Sequence, residues 1–146
     1  MAGTQYIENN PLNETMFMDA KEKVLMEDMP DIIEQLVADE HLGKRIVVHL
    51  GTNRIFEPKV FDEAMEVMLA QGVQEVFFVN VRRPIRWEDL VNERIAEGVA
   101  RWPQARLVDW YALSVQHPGW YVDDKTHLSF TGREKYMEMI MKALEE

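Results

Sequence analysis

The chain has 146 residues, 47% hydrophobic and 29% charged, enough to bury the core of one domain and too apolar for a disordered chain. A net charge of −10, from 26 acidic and 16 basic residues, repels phosphate backbones and argues against nucleic acid as a partner. Cysteine is absent, which excludes disulfides and thiolate metal sites, and the sequence has neither an apolar run of membrane-spanning length nor the basic-then-apolar start of a signal peptide.

Residues 1–18 are rich in turn formers and read as an irregular N-terminal segment, with an extended piece at Gln5 to Glu8 and a short strand over Met16 to Ala20. The domain proper spans residues 19–146. Its first helix starts at Pro30 or Asp31, buries Ile32, Ile33, Leu36 and Val37, and stops at Gly43. Arg45 to Leu50 is a continuous β-branched run, the pattern of a strand buried on both faces of a parallel sheet, and it breaks at Gly51-Thr52-Asn53. Pro58 opens a second helix with Phe61, Ala64, Met65 and Met68 on its buried face, closed by Gly72. A strand over Glu75 to Val81, a helix from about Trp87 to Arg101, a strand over Ala105 to Trp110 and a last helix from about Thr131 to Glu146 complete the chain. Strands alternating with helices build βαβ units, hence a three-layer α/β/α sandwich around a mostly parallel sheet.

In such a sheet ligands sit at the carboxyl ends of the strands, and the chemically able residues collect in the loops there. Gly51 allows close backbone approach, and Asn53 offers an amide donor. Arg82, Arg83 and Arg86 follow the second strand; they suit an anionic group, or are neutralised by Glu88, Asp89 and Glu93. In Asp123-Asp124-Lys125-Thr126-His127, Asp124 is spaced to fix the tautomer of His127 and leave Nε2 as a general base; a helix-entry cap with a solvent-facing ring fits the spacing equally well. His49, inside a buried strand, reads as a satisfied core residue, and Trp120 and Tyr121 read as core packing or as the wall of a sugar or acyl pocket. The four histidines show no His-x-His or His-x-x-x-His spacing, so neither metal nor cofactor is expected.

Taken together, Val47-Val48-His49-Leu50-Gly51-Thr52-Asn53, the stretch from Val79 to Asn92, Leu107-Val108-Asp109-Trp110-Tyr111 and the stretch from Asp123 to Gly132 resemble the SGNH-hydrolase domain of the peptidoglycan O-acetyltransferase type, found behind membrane acyltransferases. The resemblance runs from about Pro30 to the C-terminus. It implies a flavodoxin-like sandwich and serine-based acetyl transfer or ester hydrolysis on an acetylated cell-wall glycan, at the outer face of the membrane. By the same resemblance, His127 is the base, Asp124 orients it, and Asn53 and Gly51 belong to the oxyanion block.

One block departs from the pattern. The family's first strand ends in Gly-Asp-Ser, whereas this chain has only Ser114 and Ser129, both far downstream. If Gly3-Thr4-Gln5 fills that place the serine has become Gln5, and if Met18-Asp19-Ala20 does it has become Ala20; the family's next glycine corresponds to Lys23. The nucleophile is thus unassigned, which implies impaired turnover or, alternatively, a non-catalytic module that binds a glycan or acyl group. An atypical first strand also leaves a sheet edge to be filled by residues 4–18 or by a second chain, hence by dimerisation or domain swapping.

Overall fold

A computed structural model describes residues 25–50, 55–123 and 127–145. Three short strands, β1 (Arg45–Val48), β2 (Glu75–Val79) and β3 (Ala105–Val108), pair in parallel in the order β1-β2-β3. Parallel neighbours need long crossovers. Helix α2 (Pro58–Ala70) carries the chain from β1 to β2, and α3 (Glu88–Arg101) from β2 to β3. Helix α1 (Met29–Ala38) precedes the sheet, while the short α4 (Trp110–Ser114) and the long α5 (Phe130–Glu145) follow it.

Register decides which side chain meets which layer. Ile46 lies opposite Val76, and Val76 opposite Ala105, so alternate residues of the three strands share a face. Val48, Val76, Phe78 and Ala105 pack against Ile33 of α1, Phe61, Met65 and Met68 of α2, and Val91 and Ile95 of α3. Val47, Phe77, Val79 and Val108 face the other way, onto Trp110 of α4 and Tyr136, Met137 and Ile140 of α5. Helices therefore cover both faces of the sheet, in the three-layer sandwich the sequence indicates.

Several boundaries fall elsewhere than the pattern suggests. The second strand stops at Val79 rather than Val81, because the Asn92 side chain takes over the Val81 backbone, accepting from its N–H (2.7 Å) and donating to its carbonyl (2.8 Å). The third stops at Val108 rather than Trp110, because Asp109 Oδ1 accepts from Ala112 N (3.0 Å) and caps a helical turn beginning at Trp110. Helix α1 ends at Ala38, well before Gly43: Glu40 adopts φ 58°, and His41 N donates to Leu36 O (2.9 Å). The matching bond at the end of α2, Val73 N to Leu69's neighbour Met68 O (3.2 Å), closes around Gly72 at φ 93°, where no Cβ resists the left-handed turn.

Candidate active site

The rim at the carboxyl ends of the strands is built by side chains that replace the ladder where it stops. Asn80, 6% exposed, joins the ends of β2 and β3: its Nδ2 donates to Asp109 Oδ1 (2.7 Å), and its Oδ1 accepts from Tyr111 N (2.8 Å). Asp109 thereby holds Asn80 and caps α4 through the same oxygen. One residue into α4, Trp110 is 2% exposed and anchors an aromatic cluster: Trp120 stacks on it at 5.7 Å, Tyr121 tilts against it at 6.3 Å, and Tyr136 meets it edge-on at 5.3 Å.

From that cluster the chain rises into a hairpin that carries His127. Tyr121 and Leu128 form an antiparallel bridge, Val122 N donates to His127 O (2.9 Å), and Ser129 N donates to Trp120 O (2.8 Å). Tyr121 and Leu128 pack on the core beneath, and the His127 side chain is exposed. The return strand leads directly into α5. Ser129 Oγ accepts from Gly132 N (3.1 Å) and donates to Gly119 O (2.8 Å), which caps the helix and ties it to the other arm of the hairpin. Glycine is required at 132, because a Cβ there would sit 1.9 Å from the Trp120 carbonyl oxygen.

Of the residues singled out in the sequence, Gly51, Asn53 and Asp124 lie outside the described residues, as do the extended piece at residues 5–8 and the strand over residues 16–20. His127, Arg82, Arg86 and Trp120 lie within them, in the loops at the rim. Arg82 answers Glu88 first: Nη1 donates to Glu88 Oε2 (3.1 Å), the same oxygen accepts from Arg83 N, and the guanidinium lies 6.0 Å from the centre of the Tyr111 ring. Glu88 is only 8% exposed, so it needs that counter-charge. Arg86 is exposed. Trp120 is half-buried, with Trp110 on it from the core and His117 stacked at 4.1 Å and nearly parallel, so exposed His117 is the outermost ring of the stack.

The two serines are structurally committed. Ser114, 1% exposed, donates to Trp110 O (2.7 Å) and shares a 2.8 Å hydrogen bond with Tyr121 Oη; Ser129 caps α5 as described. Burial raises the Tyr121 phenol, and the Ser114 bond opposes that only in part. His49 is a half-satisfied core residue. Its Nδ1 bonds Tyr136 Oη at 2.9 Å, while Nε2 is buried without a partner among the described residues. Burial holds its pKa down at about 4 and pushes the Tyr136 phenol far up, so the pair is neutral near pH 7.

Sequence reasoning passed over Asn80, Asp109 and the Ser114–Tyr121 bond. The signals were present: an asparagine closing an apolar run, and an aspartate directly before a helix-compatible segment.

A three-layer α/β domain around a parallel sheet belongs to the class of folds in which ligands bind at the carboxyl ends of the strands. Comparison with known proteins narrows this class. The chain is 32% identical over 103 residues to O-acetyltransferase OatA of Staphylococcus aureus, and 28% identical over 102 residues to the putative peptidoglycan O-acetyltransferase YrhL of Bacillus subtilis. It is thus homologous to a domain-sized part of these O-acetyltransferases. Each match covers 70% of this chain but only 17% and 16% of the relatives, so the chain spans a small part of their length. No family model matches the chain. Among the described residues no helix is long and apolar enough to cross a membrane.

Proposed function

We propose that this domain serves O-acetyl transfer or ester hydrolysis on an acetylated cell-wall glycan, at the outer face of the membrane and alongside a membrane acyltransferase domain. The observation that carries this reading is the placement of His127: an exposed imidazole on a doubly anchored hairpin at the rim, in a chain homologous to O-acetyltransferases. In this reading His127 Nε2 holds or returns the proton of the reacting hydroxyl. Asp124 orients the ring, and Asn53 with the Gly51 backbone donates to the developing oxyanion. Arg86 and Arg82 contact the anionic part of the glycan, and the His117–Trp120 stack borders it.

Neither serine is free to act as nucleophile, since both hydroxyls serve structural bonds. That supports impaired turnover by this chain on its own, and it keeps a second reading in view, a glycan- or acyl-binding module without turnover. One pair of assays separates the readings. Hydrolysis of a small acetyl ester that is lost in His127→Ala supports the enzyme. Saturable quenching of tryptophan fluorescence by muropeptides, without hydrolysis, supports the binding module. If neither response is seen, both readings fail.

A further inference from the structure

We propose that Asn80 is a positioning residue that sets the backbone from which the His127 imidazole projects, through a continuous chain of contacts across the ends of β2 and β3. This rests on the proposed role of His127, but not on any turnover by this chain. The first link is the pair of bonds from the buried Asn80 amide, to Asp109 Oδ1 (2.7 Å) and from Tyr111 N (2.8 Å). Together they fix where α4 begins. The second link is Trp110, the first residue of α4, which sets the ring positions of Trp120 and Tyr121. The third is Ser114, the last residue of α4, whose hydroxyl holds Tyr121 Oη at 2.8 Å. Tyr121 is bridged to Leu128, next to His127, and Val122 N bonds the His127 carbonyl (2.9 Å).

An amide is well suited to the first position. Asn80 must donate to a carboxylate and accept from a backbone N–H at once, and among side chains of this length only asparagine does both without a charge. An aspartate in its place would set a second carboxylate at hydrogen-bond distance from Asp109 Oδ1 and could not donate to it. The network is therefore specific in geometry, and a shift of α4 is passed on through packed rings and backbone bonds rather than absorbed by a flexible loop.

The test reads the ring itself. In the intact chain, the Hε1–Cε1 NMR signal of His127 and its titration midpoint are measured in four variants. Asn80→Leu removes both bonds without changing charge, and is expected to displace the signal and move the midpoint. Asp109→Asn removes a charge but keeps an acceptor for Asn80 and Ala112, and is expected to leave the signal near its original place. Ile95→Val, a modest loss of packing on the far face of the sheet, controls for stability and is expected to change nothing at His127. Tyr121→Phe removes the hydroxyl that Ser114 holds and leaves the ring, and decides in the same way should Asn80→Leu not fold. An unmoved His127 signal in a folded Asn80→Leu or Tyr121→Phe variant overturns the proposal, as does an equal displacement in Asp109→Asn. None of these outcomes depends on ester hydrolysis or ligand binding, so the proposal and the functional reading fail separately.

Discussion

The two faces of the sheet are built from different chemistry. Beneath α1, α2 and α3 lies an apolar layer of Ile33, Phe61, Met65, Met68, Phe78, Val91 and Ile95, where shape decides the fit. Beneath α5 the layer is aromatic and polar: Trp110, Tyr136, His49 and Tyr121 pack as rings but also hydrogen-bond, directly or through Ser114. The first face holds the sheet, while the second both holds it and reaches the rim where His127 stands. Disturbing the first should lower stability and leave the site alone; disturbing the second should lower stability and move the site.

Two glycines make the sharpest contrast. Gly132→Ala drives a Cβ into the Trp120 carbonyl, rigid backbone that has to move, and should cost about 3 kcal/mol and displace the hairpin bearing His127. Gly98→Ala meets the Phe61 ring at 2.6 Å, a fully buried ring packed against Phe78, and should also cost about 3 kcal/mol, but with the His127 signal unchanged. Denaturant melts of the two variants, with His127 NMR on each, test this contrast. A His127 displacement in Gly98→Ala as large as in Gly132→Ala would remove the distinction between the faces.

The α5 face should also be the acid-sensitive one. His49 has a pKa near 4 folded against 6.5 for an ordinary histidine, so below 6.5 the unfolded chain binds a proton that the folded chain refuses. Stability contributed by the neutral His49–Tyr136 pair is complete above pH 6.5, falls as pH drops towards 4, and over that window should fall by about 3 kcal/mol. His49→Gln should flatten that part of the pH–stability curve. An unchanged slope would show that other groups set the acid limit.

Smaller effects belong to the three-helix side. Asp62 accepts from Trp102 Nε1 (2.7 Å) and Arg101 Nη2 (2.9 Å), tying α2 to the end of α3. Burial pushes its carboxyl up, but these bonds and the guanidinium charge outweigh it and hold the pKa below the usual range. Asp62→Ala should cost about 1 kcal/mol in thermal or denaturant melts, with no change at the rim. Glu40→Gly should raise stability by somewhat under 1 kcal/mol, since it relieves a left-handed glutamate at the end of α1. Destabilisation by that change would mean the Glu40 side chain contributes more than its backbone costs.

The same division explains what the sequence made legible. The apolar face of α2, the crossover order and the parallel sheet follow from periodicity, because burial imposes a period on every residue of an element. The end of α2 was readable at Gly72, where residue type matches conformation; the end of α1 was not, because Glu40 takes the glycine's part. At the rim, Arg82 and His127 stood out by their chemistry. Glu88, six residues after Arg82, was legible as its counter-charge, but the Asn80–Asp109 pair was not, since those residues lie far apart in the chain and meet only when β2 and β3 align. The extension of β3 to Trp110 failed for a local reason: an apolar aromatic reads as strand, while the capping aspartate beside it decides for helix.

The most direct test of the central claim, that the rim around His127 receives an acetylated cell-wall glycan, is a chemical-shift titration of the labelled chain with an O-acetylated muropeptide. The account predicts saturable shifts concentrated at His127, His117, Trp120 and Arg86, with the three-helix face silent. No saturable shift, or shifts centred on α1 to α3, would contradict it.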